Sequence, residues 1–202
     1  MNKDQVFVNK KDEVEFFVLV DKEPSIDSIC SAVAYTHFLN KQHMNSTFYI
    51  EEPLSAVQEK IFEFTSVQSP ELLSKEFRFT NQKCIYINIS SFQKLHPNIT
   101  PEHVEGIIAN EKPQYFEHFE EQIPLKHIEF VNSISTLITE KFKYSNTQPT
   151  SQIASILLLG IILSLNGLEE SQTSNRDFVA IEYLEQFATI RRDQINALVN
   201  QL

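Results

Sequence analysis

Apolar segments of strand length alternate with helical patterns along most of this chain, and that alternation constrains the fold more than any other feature. Residues 15–20 form a near-continuous apolar run, which is typical of a strand buried on both faces. The run ends at a turn, residues 21–24, and an amphipathic helical pattern follows over residues 25–39. A strand, a turn and a helix in this order indicate the repeating unit of an α/β protein.

The alternation continues through the rest of the chain. Further strands are predicted at 47–51, 83–89, 104–108 and 128–131. Further helices are predicted over 54–64, 133–142 and 153–165, with a last helix running from Asn175 towards Leu202. No internal repeat, low-complexity block or linker interrupts the pattern. We therefore expect a single domain over residues 1–202, an α/β fold with a mostly parallel sheet of about five strands and helices on both faces.

The charge balance excludes some classes of partner. The 202 residues carry a formal net charge of -10, whereas nucleic-acid backbones and anionic membrane surfaces are bound by basic patches. The most apolar run, 153–165, is shorter than the roughly 20 residues that a membrane-spanning helix needs. The sequence thus predicts neither a nucleic-acid partner nor insertion into a membrane.

The cysteine content and the N-terminus point to the interior of the cell. Cys30 and Cys84 are too few for a disulfide scaffold, and both lie in apolar stretches, so we expect them to be reduced core residues. Residues 3–12 are rich in Lys and Asp and contain no apolar segment of the kind found in secretory signals. We expect a cytoplasmic protein, with an organelle as the alternative.

A specific motif follows the first predicted strand. The motif consists of the residues Asp27-Ser28-Ile29-Cys30-Ser31-Ala32 and Ala34-Tyr35. The segment resembles the opening motif of the DHH phosphoesterases, above all the family II (manganese-dependent) inorganic pyrophosphatases and their exopolyphosphatase relatives. The pattern there is His-x-x-x-Asp-x-Asp-Ser-Ile. Segments that resemble the later landmarks of the family occur in order at 85–89, 104–111, 132–140, 161–166 and 175–177. The resemblance covers about residues 14–190 and implies the fold of the family's N-terminal domain.

The resemblance also implies where metal ligands would stand. Enzymes of this kind use two or more divalent ions, held by carboxylates and imidazoles, to activate a water molecule and neutralise phosphate charge. The first His corresponds to Asp21, the next Asp to Ser25, and the third ligand is retained as Asp27. The remaining positions are Asn88 for the strand-end Asp, Ala109, Asn110 and Glu111 for Asp-His-His, and Leu165 for the late Asp, or Asn166 if the register slips by one.

This substitution pattern predicts a catalytically inactive relative. Asp21 and Asp27 could together hold a single solvated Mg²⁺ weakly, but they cannot hold a two-metal cluster. We therefore expect no cofactor, with Mn²⁺ or Mg²⁺ bound only if a weakened site survives. The Lys- and Arg-rich C-terminal domain of the family is also expected to be absent, because the chain ends at Leu202.

Several interpretations of these residues stay open at this point. Asp27-Ser28 is expected to cap the first helix, although residual metal binding or phosphate binding at the helix N-terminus are alternatives. The aromatic segment 115–119 is either tucked into the fold or a surface for another protein.

Three functions follow from the resemblance. The favoured one is a protein-interaction or structural subunit, as a homodimer or in a heteromeric complex along a sheet edge. The second is a phosphoesterase with an altered site in which Asp21, Asp27 and Glu111 converge. The third is a metal-free sensor of a nucleotide or another phosphate.

Overall fold

The fold is built on one parallel sheet. The structure, a computed structural model, describes residues 14–166 and 173–199; the predictions for residues 3–12 and for the end of the last helix at Leu202 lie outside them. The strands are β1 (Phe16–Val20), β2 (Ser46–Ile50), β3 (Glu71–Leu72), β4 (Lys83–Ile87), β5 (Val104–Ala109) and β6 (Leu125–Ile128). They lie in the order β3-β2-β1-β4-β5-β6, and every neighbouring pair is parallel.

Six α-helices accompany the sheet in the part of the chain that the structure describes. They are α1 (Ile26–Lys41), α2 (Ala56–Thr65), α3 (Ile134–Tyr144), α4 (Ser151–Ser164), α5 (Asn175–Glu185) and α6 (Arg192–Val199). The α/β architecture predicted from the alternation of apolar runs and helical patterns is thereby confirmed. The described sheet contains one strand that was not predicted, β3. This strand has only two residues at a sheet edge and is too short to leave a pattern in the sequence.

Most element boundaries lie within two residues of the prediction, and two elements differ more. The strand expected at 128–131 is β6, Leu125–Ile128, which begins and ends three residues earlier and shares only Ile128 with the prediction. The single long helix expected from Asn175 onwards is broken between α5 and α6. The break coincides with a contact to a distant helix, because the backbone N–H groups of Thr189 and Ile190 donate to the Ser155 hydroxyl of α4 instead of continuing a helix.

The two faces of the sheet are covered by different kinds of helix. Alternate side chains of β1 divide between two apolar clusters, Val18 and Val20 on one face and Phe17 and Leu19 on the other. The first cluster holds the apolar faces of the α-helices. The second is closed by connections that contain short 3-10 helices, Phe92–Lys94, Pro101–His103, Phe116–His118 and Glu120–Gln122. Helices on both faces were predicted. The described helices on the second face are short 3-10 helices, whereas those on the first face are α-helices.

The aromatic segment 115–119 takes part in this second layer. Phe116 is buried there, and Phe119 packs against Phe92 with 4.7 Å between the ring centroids. Tyr115, by contrast, is 44% exposed. The segment thus combines both expectations, with two rings in the core and one on the surface.

Exposed aromatic residues lie near one edge of the sheet. The edge strand β6 is followed by Phe130, whose side chain is 88% exposed, and Tyr144 at the end of α3 is 80% exposed. Tyr144 lines a groove of about 820 Å³ together with His127 and Glu129 of the β6 segment. Exposed aromatic rings of this kind are candidate contacts for another molecule.

Both cysteines are buried and carry no disulfide. Burial raises the pKa of the Cys84 thiol to about 12. Burial and the nearby Asp27 charge raise the pKa of the Cys30 thiol well above its usual range. Neither thiol has the lowered pKa of a catalytic nucleophile. In residues 14–166 and 173–199, no helix is long and apolar enough to cross a bilayer.

Candidate functional site

The carboxyl ends of β1, β4 and β5 bring three of the predicted ligand positions together. Ser25 caps α1, and its hydroxyl oxygen lies 2.8 Å from the hydroxyl oxygen of Ser28. The Asn88 amide donates to the same Ser28 hydroxyl at 3.2 Å, and the Asn110 N–H donates to Asn88 Oδ1 at 3.5 Å. Ser25, Asn88 and Asn110 therefore lie together, and the group they form with Ser28 is an uncharged hydrogen-bonded chain.

Asn88 holds a special backbone conformation at the centre of this chain. It directly follows β4 and has a φ of 56°, in the left-handed region that Asn tolerates better than most residues. Its N–H donates to Ile108 of β5, which fixes the side chain between the two strand ends. An amide here supplies both a donor and an acceptor, where a carboxylate supplies acceptors alone.

Asp21 lies at the end of β1, and its carboxylate is held by protein donors. Oδ1 accepts from the Lys22 N–H at 2.7 Å, and Oδ2 accepts from both the N–H and the hydroxyl of Ser90. The Lys94 ammonium stands 3.7 Å from Oδ2. Burial opposes ionisation of Asp21, but the Ser90 and Lys22 hydrogen bonds and the Lys94 charge outweigh it and lower the pKa below its usual 3.8.

This lowered pKa makes the contribution of Asp21 to stability depend on pH. A carboxylate with a lowered folded-state pKa stabilises the protein above its unfolded pKa, and the stabilisation is lost as pH falls through the folded value. Asp21→Asn is therefore expected to lower the urea midpoint at pH 7 and to have a smaller effect near pH 3.5 (about the usual Asp pKa).

The control for this experiment is Asp193→Asn, at a side chain that is 75% exposed. It is expected to shift the midpoint little at either pH. An Asp21→Asn effect that is the same at both pH values would contradict the assignment of Asp21 as a charge stabilised by its neighbours.

Asp27 is the buried anchor of another helix. Only 8% of the residue is exposed. One oxygen accepts from the Ile134 N–H at 2.7 Å, and the other accepts from the Ser135 N–H and the Ser133 hydroxyl, both at 3.0 Å. Burial raises the pKa of Asp27, and these hydrogen bonds offset part of the rise. Both carboxylate oxygens thus face the first turn of α3.

The prediction that Asp27 and Ser28 cap the first helix was wrong, because another residue caps α1 and Asp27 binds to the start of α3. Ser25 is the N-cap of α1, and its hydroxyl accepts from the Ser28 N–H at 3.1 Å. Asp27 lies inside the first turn of α1 and satisfies free N–H groups at the start of α3, 107 residues away along the chain. The pattern of the sequence near Asp27 contains no sign of this distant partner.

The remaining predicted positions lie in the core or on the surface. Ala109 ends β5 and is fully buried, and Leu165 follows α4 with its side chain in the helical core. Glu111 lies beyond β5 on the surface. Asp21 and Asp27 bond to different elements, Asp21 to the loop after β4 and Asp27 to α3.

The chain is similar to known proteins in sequence and in structure. No family model matches the chain. A protein of Bacillus pumilus assigned as a manganese-dependent inorganic pyrophosphatase is 24% identical over 170 residues, which are 84% of this chain and 54% of that protein. A protein of Methanococcus jannaschii assigned to the family II inorganic pyrophosphatases superposes with a TM-score of 0.70, at 19% identity over 93% of this chain and 63% of its own. The resemblance to this family is confirmed.

The fold is that of a family II pyrophosphatase N-terminal domain. An exopolyphosphatase-related protein of Bacteroides fragilis has the same fold, with a TM-score of 0.72 at 12% identity over 93% of this chain and 56% of that one. The chain spans about half the length of the curated relative that it matches.

The side chains present do not fit the metal set that the resemblance to the pyrophosphatases implies. Two of the converging positions are Ser25 and Asn88, whose neutral oxygens are weak ligands beside the carboxylates they replace. The oxygens of Asp27 already accept three hydrogen bonds from α3 and the residue before it. Within the described part of the chain, no three His, Cys, Asp or Glu side chains are grouped to hold an ion.

A second buried carboxylate, Asp177, was not predicted from the sequence. Asp177 accepts from the Thr136 hydroxyl of α3 at 2.6 Å and from the N–H and hydroxyl of Ser174, and so ties the start of α5 to α3. The signal was available, because Ser174 and Asp177 have the spacing of a capping box. The partner Thr136 could not be read from that spacing.

Proposed function

We propose that this protein is a catalytically inactive relative of the family II inorganic pyrophosphatases that acts as a structural or interaction subunit. The single observation that carries the proposal is the bonding of Asp27. Asp27 is the one metal ligand that the sequence retains, and its oxygens are taken up by Ser133, Ile134 and Ser135. A carboxylate that anchors a helix in this way is not available to organise two ions around a phosphate.

The bonding of Asp21 supports the same conclusion. In a metallophosphoesterase the charge of clustered carboxylates is balanced by divalent ions. Here the balance comes from the protein itself, since Lys94 and the donors of Ser90 surround Asp21. The neighbouring chain of Ser25, Ser28 and Asn88 is neutral and needs no ion. The former site is thus proposed to serve the stability of the fold.

The interaction surface is proposed to be the β6 edge, with a second copy of this chain as the partner. No described strand pairs with the outer side of β6, so its backbone N–H and C=O groups can continue a sheet. The exposed Phe130 lies just beyond β6, and the exposed Tyr144 lines a groove with His127 of β6. Both rings can supply the large aromatic contacts that often dominate interfaces. A self-complementary contact of this type closes into a two-fold dimer.

The oligomeric state in solution tests this proposal. We expect the wild-type chain to sediment or scatter light as a dimer, with twice the mass of one chain. The double variant Phe130→Glu, Tyr144→Glu places like charges in the contact and is expected to raise the dimer dissociation constant at least tenfold. Both side chains are exposed, so the variant is expected to stay folded.

The opposite sheet edge provides the matched control. Leu72 lies in the edge strand β3 and is 59% exposed, so Leu72→Glu makes the same change away from the proposed contact. Leu72→Glu is expected to leave the dimer intact. A monomeric wild type, or a double variant that dimerises as strongly as the wild type, would overturn the proposed surface.

A further inference from the structure

A cavity of about 620 Å³ opens at the carboxyl ends of β1 and β2. It is formed by residues 21–24, which follow β1, by residues 50–55 at the end of β2, and by Gln58 of α2. The neutral chain of Ser25, Ser28 and Asn88 lies towards β4 and does not line it. The volume falls within the range of about 300–1,000 Å³ that is usual for small-molecule sites.

The charged side chains of the cavity are mostly acidic. Asp21, Glu23, Glu51 and Glu52 line it, and Lys22 is the one basic residue in the lining. Two of these carboxylates have close partners, since Asp21 is held by Ser90 and Lys94, and Glu52 forms an ion pair with Lys75 at 3.1 Å. The charge of the lining therefore favours a cation.

Glu51 is the carboxylate whose bonding is incomplete. The residue is only 8% exposed, and its Oε2 atom accepts no hydrogen bond from any residue that the structure describes. The nearest positive charge is the Lys22 ammonium at 4.0 Å, which is beyond hydrogen-bond distance. Burial raises the pKa of the Glu51 carboxyl, although the charges of His96 and Lys22 oppose the rise. A buried carboxylate without a donor costs free energy, and a ligand with a charged N–H group recovers it.

The walls of the cavity favour an organic cation over a metal ion. Pro24, Ile50, Pro53 and Leu54 provide apolar surface beside Glu51. This surface would contact an alkyl chain, whereas an ion would gain nothing from it. In the described residues no group of three potential ligands surrounds a single point, which a firmly held metal would require.

We propose that this cavity binds a small aliphatic primary amine. The ammonium group donates a charge-assisted hydrogen bond to Glu51, and the alkyl chain lies against Pro53 and Leu54. This binding goes beyond the proposed function as an interaction subunit and does not depend on the dimer, because the cavity lies towards the β2 side of the sheet and the proposed contact is at β6.

The test is a calorimetric titration of the full chain with 1,5-diaminopentane. We expect saturable binding to the wild type, and at least tenfold weaker binding to Glu51→Gln, which keeps the shape of the side chain and removes its charge. Glu63→Gln makes the same change of charge at an exposed position of α2 outside the cavity and is expected to bind like the wild type. Far-UV circular dichroism checks that Glu51→Gln stays folded, and its thermal midpoint is expected to equal or exceed that of the wild type.

Two comparison titrations separate the contributions to binding. The alcohol 1-pentanol offers the alkyl chain without the ammonium, and Mg²⁺ offers positive charge without the chain, so neither is expected to bind at concentrations that saturate with the diamine. Absence of saturable binding of the diamine to the wild type would overturn the proposal. Equal binding to Glu51→Gln, or displacement of the diamine by Mg²⁺ at equal concentration, would also overturn it.

Discussion

Asp27→Ala is expected to lower the free energy of unfolding by about 3 kcal/mol, because it leaves buried donors without their acceptor. The N–H groups of Ile134 and Ser135 and the hydroxyl of Ser133 all donate to this carboxylate. Urea unfolding at pH 7 measures the effect directly, and thermal unfolding should show a drop of roughly 6–12 °C for a chain of this size.

Two further variants separate the role of Asp27 from a general loss of charge. Asp27→Asn keeps one acceptor but turns an NH₂ group towards the donors of α3, so it is expected to cost nearly as much as Asp27→Ala. Asp193→Ala removes a carboxylate that is 75% exposed and is expected to cost less than about 0.5 kcal/mol. An Asp27→Ala loss below about 1 kcal/mol would contradict the role of Asp27 as the anchor of α3.

Gly160→Ala is expected to destabilise the protein by about 1–3 kcal/mol through overpacking. A Cβ atom at position 160 of α4 would lie 2.3 Å from Ser135 Oγ, 2.9 Å from Cys30 Cβ and 3.2 Å from Asp27 Oδ1. The Ser135 hydroxyl can rotate away, but the Cβ of Cys30 moves only with α1 itself. Denaturant unfolding of the wild type and the variant under identical conditions measures the difference.

Whether Gly160→Ala lowers or raises the free energy of unfolding distinguishes overpacking from an effect of helix propensity. In an exposed helix interior, Gly→Ala stabilises by up to about 1 kcal/mol, because Ala has the higher helix propensity. A gain in stability for Gly160→Ala would therefore show that α4 does not press against α1 and α3 at this point. The expected loss would show that the contact around Asp27 is as tight as the structure has it.

The order of strands and helices could be predicted because it depends on local patterns. The apolar run of β1, the turn at 21–24 and the helical spacing of α1 are each encoded within a few residues, and all three are found. The two-residue strand β3 and the break after α5 are not encoded locally. The break depends on the Ser155 hydroxyl, which lies 34 residues from Thr189 in the sequence.

The convergence of the ligand positions was also predictable, but the bonding of each side chain was not. The resemblance in sequence placed Ser25, Asn88 and Asn110 at neighbouring strand ends, and their hydrogen-bonded chain matches that placement. The role of Asp27 depends on the start of α3, more than 100 residues away. Long-range hydrogen bonds of this kind leave no periodic pattern, so a local interpretation assigned Asp27 to its own helix.

Thermal unfolding with and without metal shows whether the remaining carboxylates serve the fold alone or also hold a metal ion. The midpoint of the wild type in EDTA is predicted to coincide with the midpoint in excess Mn²⁺. An ion bound to the native state at a hundred times its dissociation constant would add about 2.7 kcal/mol, which corresponds to a rise of several degrees. A rise of that size with Mn²⁺, abolished in Asp27→Asn, would contradict this prediction and restore Asp27 as a metal ligand.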